Sequence, residues 1–289
     1  MNNSRLFRGT TQILTACLIW GCGYVVIKDA SVLMSLDNLM SLRYLMASTA
    51  LCACFFPRLL RTNRRALAGG VCMGILLYLS QYCQTAALGF EDTSAGSVAF
   101  ITALYVVLVP FLHAAMRRRL PSARVMISAL LAVAGLFLLV HGSVGLTFGC
   151  RLAMLGSALF SVHILVIDVF SSDQDPIILT VWQFLSAALF SCLVQAVHGT
   201  PLPEVPRLAD IWRPVTYLGI FSTMLGFLMQ TEGQKNLSPE LSSLLLSTEA
   251  VFGLFFSVLL TQESMTAGKA VGCGLMLAAV VTAERQREF

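Results

Sequence analysis

LSSLLLSTEAVFGLFFSVLL, residues 241–260, is apolar or small throughout except for one carboxylate, Glu249. A helix rising about 1.5 Å per residue crosses the ~30 Å hydrocarbon core of a bilayer in about 20 residues, so this stretch reads as a membrane span. Drawn over 239–261, the span puts Glu249 near its middle. A charged group at that depth costs about 2.5–3.5 kcal/mol on insertion scales unless it faces protein or water. Two readings of Glu249 follow. It is a proton or cation site in a wet interior, or it is hydrogen-bonded to a neighbouring helix.

The same pattern fills the chain. Of 289 residues, 57% are hydrophobic and 12% charged, and mean hydropathy is +0.79; soluble domains average about a quarter charged residues. Charges gather near 58–65, 117–124 and 284–288, between apolar runs. These breaks predict ten helices, near 10–28, 36–56, 67–88, 93–115, 123–141, 150–170, 176–198, 214–233, 239–261 and 266–284. Segment 199–213 reads as a Pro-rich loop, Pro176 and Pro239 suit first helical turns, and Pro110 should kink the fourth span. The chain is expected to be a polytopic, all-α membrane protein within the lipid bilayer. Arg clusters beside spans are topology signals rather than a basic stripe, so no nucleic-acid partner is expected. With the N-terminus inside, the cytoplasmic segments hold most of the Lys and Arg. Only Lys28, Arg43, Arg151, Arg207, Arg213 and Lys269 fall on the other side. Both termini are therefore expected in the cytoplasm, a bias carried mainly by the first five spans.

Nine cysteines, mostly within spans, read as small hydrophobes, and Cys52-x-Cys54 lacks partners at zinc-ligand spacing. The Leu14-Thr15-Ala16-Cys17 box resembles a lipoprotein cleavage site, but the apolar run continues to Ile27, which predicts a retained helix. There is no Walker loop, HExxH or GxSxG motif. The expectation is no enzyme, no cofactor and no metal.

The halves resemble each other. Sliding the sequence on itself aligns Gln84-Thr85 with Gln230-Thr231 and Thr102 with Thr248 in one register. A nearby register aligns Trp20-Gly21 with Phe160-Ser161 and Arg43-Tyr44-Leu45 with Gln183-Phe184-Leu185. Five spans per half is odd, so the second half enters the membrane upside down. Inverted repeats of this kind recur in transporters, with the substrate site near the midplane between halves.

WGCGYVVIK (20–28), Gln84-Thr85, TSAGSVAFITALYVVLVP (93–110), Gln230, Ser238-Pro239 and STEAVF (247–252) resemble the EamA type of the drug/metabolite transporter superfamily. The resemblance covers essentially the whole chain. It implies ten transmembrane helices built as two inverted five-helix repeats, here 1–143 and 149–286, and a cavity bounded by spans 1, 3, 4, 6, 8 and 9. It also implies a secondary active transporter of the inner membrane, with export the commoner direction and a small-molecule substrate, most of all amino acids or related amines. The family often has Glu at the position of Glu249 whatever its substrate. Its usual Gly-Glu after the ninth helix reads Gln262-Glu263 here. Two rivals stand beside this reading: a proton-coupled multidrug or quaternary-amine exporter, and a non-transporting membrane scaffold or sensor. A monomer is expected, with a homodimer left open.

The candidate substrate or coupling residues are Glu249, Gln84, Gln81, Gln230, Trp20, Tyr78, Thr102 and His163. Gln81 and Gln84 lie one turn apart, and Gln230 is the repeat counterpart of Gln84. Helix–helix hydrogen bonds of about 0.6 kcal/mol explain such amides equally well. Trp20, Tyr24, Tyr78 and Tyr105 could wall a cationic amine or simply pack. His163 and Asp168 are a polar pair in the sixth span, read as a proton relay or as packing. Lys28 and Arg43 are expected to snorkel to headgroups, although Arg43 could also bind a carboxylate. Gly70-x-x-x-Gly74 and Gly268-x-x-x-Gly272 permit close helix approach, within the bundle or between protomers.

Overall fold

A computed structural model describes residues 3–87, 89–90, 93, 95–139, 147–202, 205–261 and 264–284. Gln262, Glu263, Arg285, Arg287 and the repeat boundary at 143 lie outside the described residues, as do the side chains of Tyr24, Lys28 and Arg207.

The described residues form helices that assemble into ten spans. The first is Asn3–Leu33, the second Leu36–Leu59 and the third Arg64–Ala87. The fourth has two pieces, Ala95–Ala103 and Tyr105–Met116. The fifth is Ala123–Leu139, the sixth Phe148–Ser171 and the seventh Pro176–His198. The eighth joins Val205–Thr216, a π-helical stretch Tyr217–Leu225, and Gly226–Gln234. The ninth is again divided, Pro239–Ser247 and Glu249–Thr261, and the tenth is Ala267–Glu284. Six helices among the described residues are long and apolar enough to cross a membrane, and two more are shorter apolar helices. Outward faces carry exposed Leu130, Leu189, Leu259 and Leu277, as a lipid-facing surface requires.

Local chemistry sets the ends. Ser35, Thr147, Asp175 and Ser238 each accept a backbone N–H of the following first turn, satisfying donors that have no intrahelical partner. Pro176 and Pro239 occupy first turns as expected, and Gly199 ends the seventh span at φ 66, a left-handed conformation glycine adopts without strain.

Two expectations change. The segment read as a loop at 199–213 is helical from Val205 onward, because Pro206 falls in the first turn, where its missing donor is not needed. The fourth span is interrupted at Leu104, not at Pro110, and the helix Tyr105–Met116 continues through that proline. Proline is not the cause of the break, since the ninth span breaks in the same way without one. Leu104 N–H bonds Ile101 O, and Leu104 O receives Val107 and Leu108 N–H. Thr248 N–H bonds Leu245 O, and Thr248 O receives Val251 and Phe252 N–H. Backbone angles match too: φ −62, ψ −8 at Leu104 and φ −66, ψ −11 at Thr248.

The packing obeys the inverted repeat. Span 1 packs on spans 8 and 9, and span 6 on spans 3 and 4; span 2 packs on 8, and span 7 on 3. Exchanging the halves converts each contact into another. Spans 2 and 7, 4 and 9, and 5 and 10 pair across the two-fold itself. Glycines allow the closest approaches. A Cβ on Gly21 would stand 2.6 Å from Phe252 Cβ, and one on Gly135 2.7 Å from Gly272 O. Gly70 and Gly74 face Leu179, Trp182 and Gln183 of span 7. The two Gly-x-x-x-Gly motifs thus serve the bundle interior through Gly70, Gly74 and Gly272, whereas a Cβ on Gly268 would meet nothing nearer than Thr266 Oγ1 at 3.9 Å.

Candidate functional site

Aromatic side chains from both halves meet on the two-fold. Tyr44 and Phe184, repeat counterparts on spans 2 and 7, stack with centroids 6.0 Å apart. Phe184 meets Phe227 at 5.7 Å, Phe227 meets Trp20 at 4.7 Å, and Tyr44 meets Tyr78 at 6.2 Å. His163 stacks on Phe160 at 5.5 Å and lies 6.5 Å from Phe227.

Polar atoms are threaded through these rings. Trp20 Nε1 donates to Ser222 O at 2.7 Å, and Arg43 Nε donates to Thr223 Oγ1 at 2.9 Å. Both acceptors lie in the π-helical stretch of span 8: Ser222 offers a backbone carbonyl that the altered hydrogen-bond ladder leaves open to neighbours, and Thr223 its side-chain hydroxyl. Arg43 is 4% exposed, with its guanidinium 5.6 Å from the Tyr44 ring centroid. The expectation that it snorkels to headgroups is overturned, because span 8 supplies a buried partner. Tyr44 donates its hydroxyl to Gln81 Oε1 at 2.9 Å. His163 Nε2 and Gln183 Oε1 are 3.1 Å apart, both residues fully buried. His163 Nδ1 and Gln183 Nε2 have no hydrogen-bond partner among the described residues.

Trp20, Tyr78, Gln81 and His163 are therefore brought together. Gln230 sits one turn from Phe227 and donates to Gln234 Oε1 at 2.9 Å, leaving its own Oε1 without a partner. Thr102 is buried in the fourth span with Oγ1 likewise unpartnered. Gln84 is half-buried, with its backbone beside Gly156 of span 6.

Glu249 opens the second piece of the ninth span, directly after the break at Thr248. The half-helix presents its positive dipole end there, a position that favours a carboxylate. Across from it, Cys17 Sγ of span 1 donates to Leu245 O and Leu246 O at 3.4 and 3.5 Å; Leu245 O also accepts the N–H and the hydroxyl of Thr248. Glu249 is within electrostatic reach of that thiol.

A second feature lies at the end of the bundle that carries the N-terminus. A cavity of about 470 Å³ opens between spans 4, 5, 9 and 10, lined by Val106, Pro110, Arg117, Ser128, Leu241 and Leu244 among others. It lies between the halves, but not among spans 1, 3, 6 and 8 as expected. Those spans are held together by the buried rings at the centre. His113 Nδ1 meets Glu240 Oε1 across this cavity's wall, and Asp168 stands within electrostatic reach of His113, Arg117 and Glu240. Asp168 thus lies in the field of His113 and Arg117, which attract its carboxylate, and of Glu240, which repels it, while His163 bonds Gln183.

The reading of residues alone missed Tyr44, Gln183, Phe184, Phe227 and the His113–Glu240 contact. Tyr44, Gln183 and Phe184 were visible only within the aligned repeat segments 43–45 and 183–185. His113 and Glu240 were visible as ionisable groups just inside helix ends. Nothing in the 3.6-residue periodicity marked the π-helical stretch.

Known proteins place the chain. The EamA-like transporter family model matches twice, at residues 7–141 and 147–283. An uncharacterized transporter from Archaeoglobus fulgidus is 28% identical over 277 residues, covering 96% of this chain and 85% of that protein. A crystal structure of a protein 18% identical shares the fold at TM-score 0.78, covering 97% of this chain and 99% of that one. With the same family model matched once by each half, the chain belongs to the EamA-like transporter family and is a multi-pass membrane transporter.

Proposed function

We propose that the protein is a secondary carrier of the cytoplasmic membrane, exporting small organic metabolites, amino acids or related amines foremost, by alternating access. Both termini face the cytoplasm, and the repeats drawn at 1–143 and 149–286 rock against each other. The observation that carries this reading is the aromatic cluster on the two-fold with unpartnered polar atoms of His163 and Gln183 at its edge. Each unpaired buried polar group costs about 1–3 kcal/mol, a cost relieved when a polar ligand enters between the halves. Flat rings around such a point suit an amine.

A second reading, a proton-coupled exporter of quaternary amines, is favoured by Glu249 at a half-helix end within the membrane. Counterflow of labelled amino acids and amines in proteoliposomes decides between them, because it needs no ion gradient. Exchange that survives Glu249→Gln while gradient-driven uptake is lost makes Glu249 a coupling residue. A cation-only substrate profile abolished by Glu249→Gln selects the amine exporter. No flux of any compound by folded wild type overturns the carrier reading in favour of a scaffold.

A further inference from the structure

Two His–carboxylate contacts bridge the repeats, one near each end of the bundle. His198 Nδ1 meets Asp37 Oδ2 at 2.9 Å near the end where spans 1 and 2 join. His113 meets Glu240 near the opposite end. The second differs in three ways. It borders the cavity. Its other ring nitrogen, Nε2, is buried without a partner. It also has a second carboxylate, Asp168, within electrostatic reach.

The ionisable groups around it come from three spans and one loop. Span 4 contributes His113 and Arg117, the following loop Arg119, span 6 Asp168, and span 9 Glu240. Span 5 presents Val125, Ser128 and Ala129, and span 10 presents Ala283; the Glu284 side chain lies outside the described residues.

From this arrangement we infer that His113, Glu240 and Asp168 form a proton-binding site that couples proton uptake to closure of the bundle end carrying the N-terminus. The inference rests on the alternating-access reading above. A protonated imidazole, in contact with Glu240 of span 9 and within electrostatic reach of Asp168 of span 6, ties span 4 of the first repeat to the second by charge. A neutral imidazole keeps one hydrogen bond. The proton arrives from water through the cavity, whose rim carries exposed Arg117, Arg119 and Leu120, and it leaves by the same route when spans 4 and 9 separate. Because closure holds Glu240 against the ring with Asp168 within electrostatic reach, proton binding favours the closed end. By linkage, closure favours the proton equally. The site is distinct from Glu249 and His163, which lie deeper in their spans.

Hydrogen–deuterium exchange of the full-length protein in lipid nanodiscs tests this without knowing the substrate. After correction for intrinsic chemistry, backbone exchange at 117–122 and 235–240 should slow roughly tenfold between pH 8 and pH 5, within the usual 5–150-fold range of coupling. His113→Gln keeps a hydrogen bond but no charge and should abolish the pH response while leaving the melting temperature near wild type. Glu240→Gln should abolish it as well, and Asp168→Asn should diminish it. His198→Gln, at the other end, should leave it intact. A response that persists in His113→Gln, or a wild type with none, overturns the proposal. Should His113→Gln fail to fold, the Asp168→Asn and His198→Gln pair still decides. Counterflow separates the two readings: flux without the exchange response sinks the proton site, and the exchange response without flux sinks the carrier.

Discussion

Tyr44 and Phe184, equivalent residues of the two repeats, stack on each other at 6.0 Å with ring planes 27° apart. Two equivalent residues can touch only on the axis that relates them, so this contact marks where the halves turn. Around it stand Trp20, Tyr78, His163 and Phe227, and the second symmetric feature, the paired breaks at Leu104 and Thr248, flanks it in spans 4 and 9.

Trp20→Phe should lower stability by about 1–3 kcal/mol, the usual result of leaving a buried acceptor unpaired. The substitution keeps the ring contact with Phe227 but removes the donor to Ser222 O. Thermal unfolding in detergent reads the loss, and a melting temperature equal to wild type would show that the π-helical stretch does not depend on the indole.

The glycines of span 10 should behave oppositely. Gly272→Val should destabilise by about 1–3 kcal/mol through overpacking, because its Cβ meets Gly135 O at 2.7 Å and the Leu138 side chain at 3.2 Å. Gly268→Ala has open space and should be neutral or stabilise by up to about 1 kcal/mol. If Gly272→Val instead altered only oligomeric state, the close contact between spans 5 and 10 would be wrong.

At Glu249 the half-helix dipole sets the sign. Glu249→Gln should change stability by no more than about 1 kcal/mol, the magnitude of a charge–dipole contact. Glu249→Lys places a cation at the positive end within the membrane and should reduce folded protein severely. Size-exclusion profiles and melting curves of the two variants compare them directly; equal behaviour would remove the dipole argument.

His163 and Gln183 call for a double-mutant cycle. Either residue replaced alone by Leu leaves a buried polar group facing an apolar one, while replacing both does not. The double variant should therefore be less destabilised than the sum of the singles, by about 0.5–3 kcal/mol. Additive losses would mean that the two side chains do not interact. Flux measured in the double variant tests the functional side, and it should fall even where stability is recovered.

The sequence by itself determined the class of molecule. Apolar runs of bilayer length leave only helices, since each backbone N–H and C=O in hydrocarbon must be paired within its own segment. Five spans per repeat then dictate that the second half is inverted. Pro176 and Pro239 marked first helical turns, and Trp20, Tyr78, Gln81 and His163 stood out as polar or aromatic groups in apolar runs. Tertiary structure decided what each of them touches. Hydropathy at Leu104 and Thr248 is continuous, so the breaks are invisible to it; at the second, the Cys17 thiol of span 1 reaches the carbonyls of Leu245 and Leu246 just before the break. The same holds for Arg43, whose charge is placed inside the bundle by Thr223 of a span 180 residues away. A pattern of periods records which face is buried, while the identity of the partner across that face is a property of the assembled bundle alone.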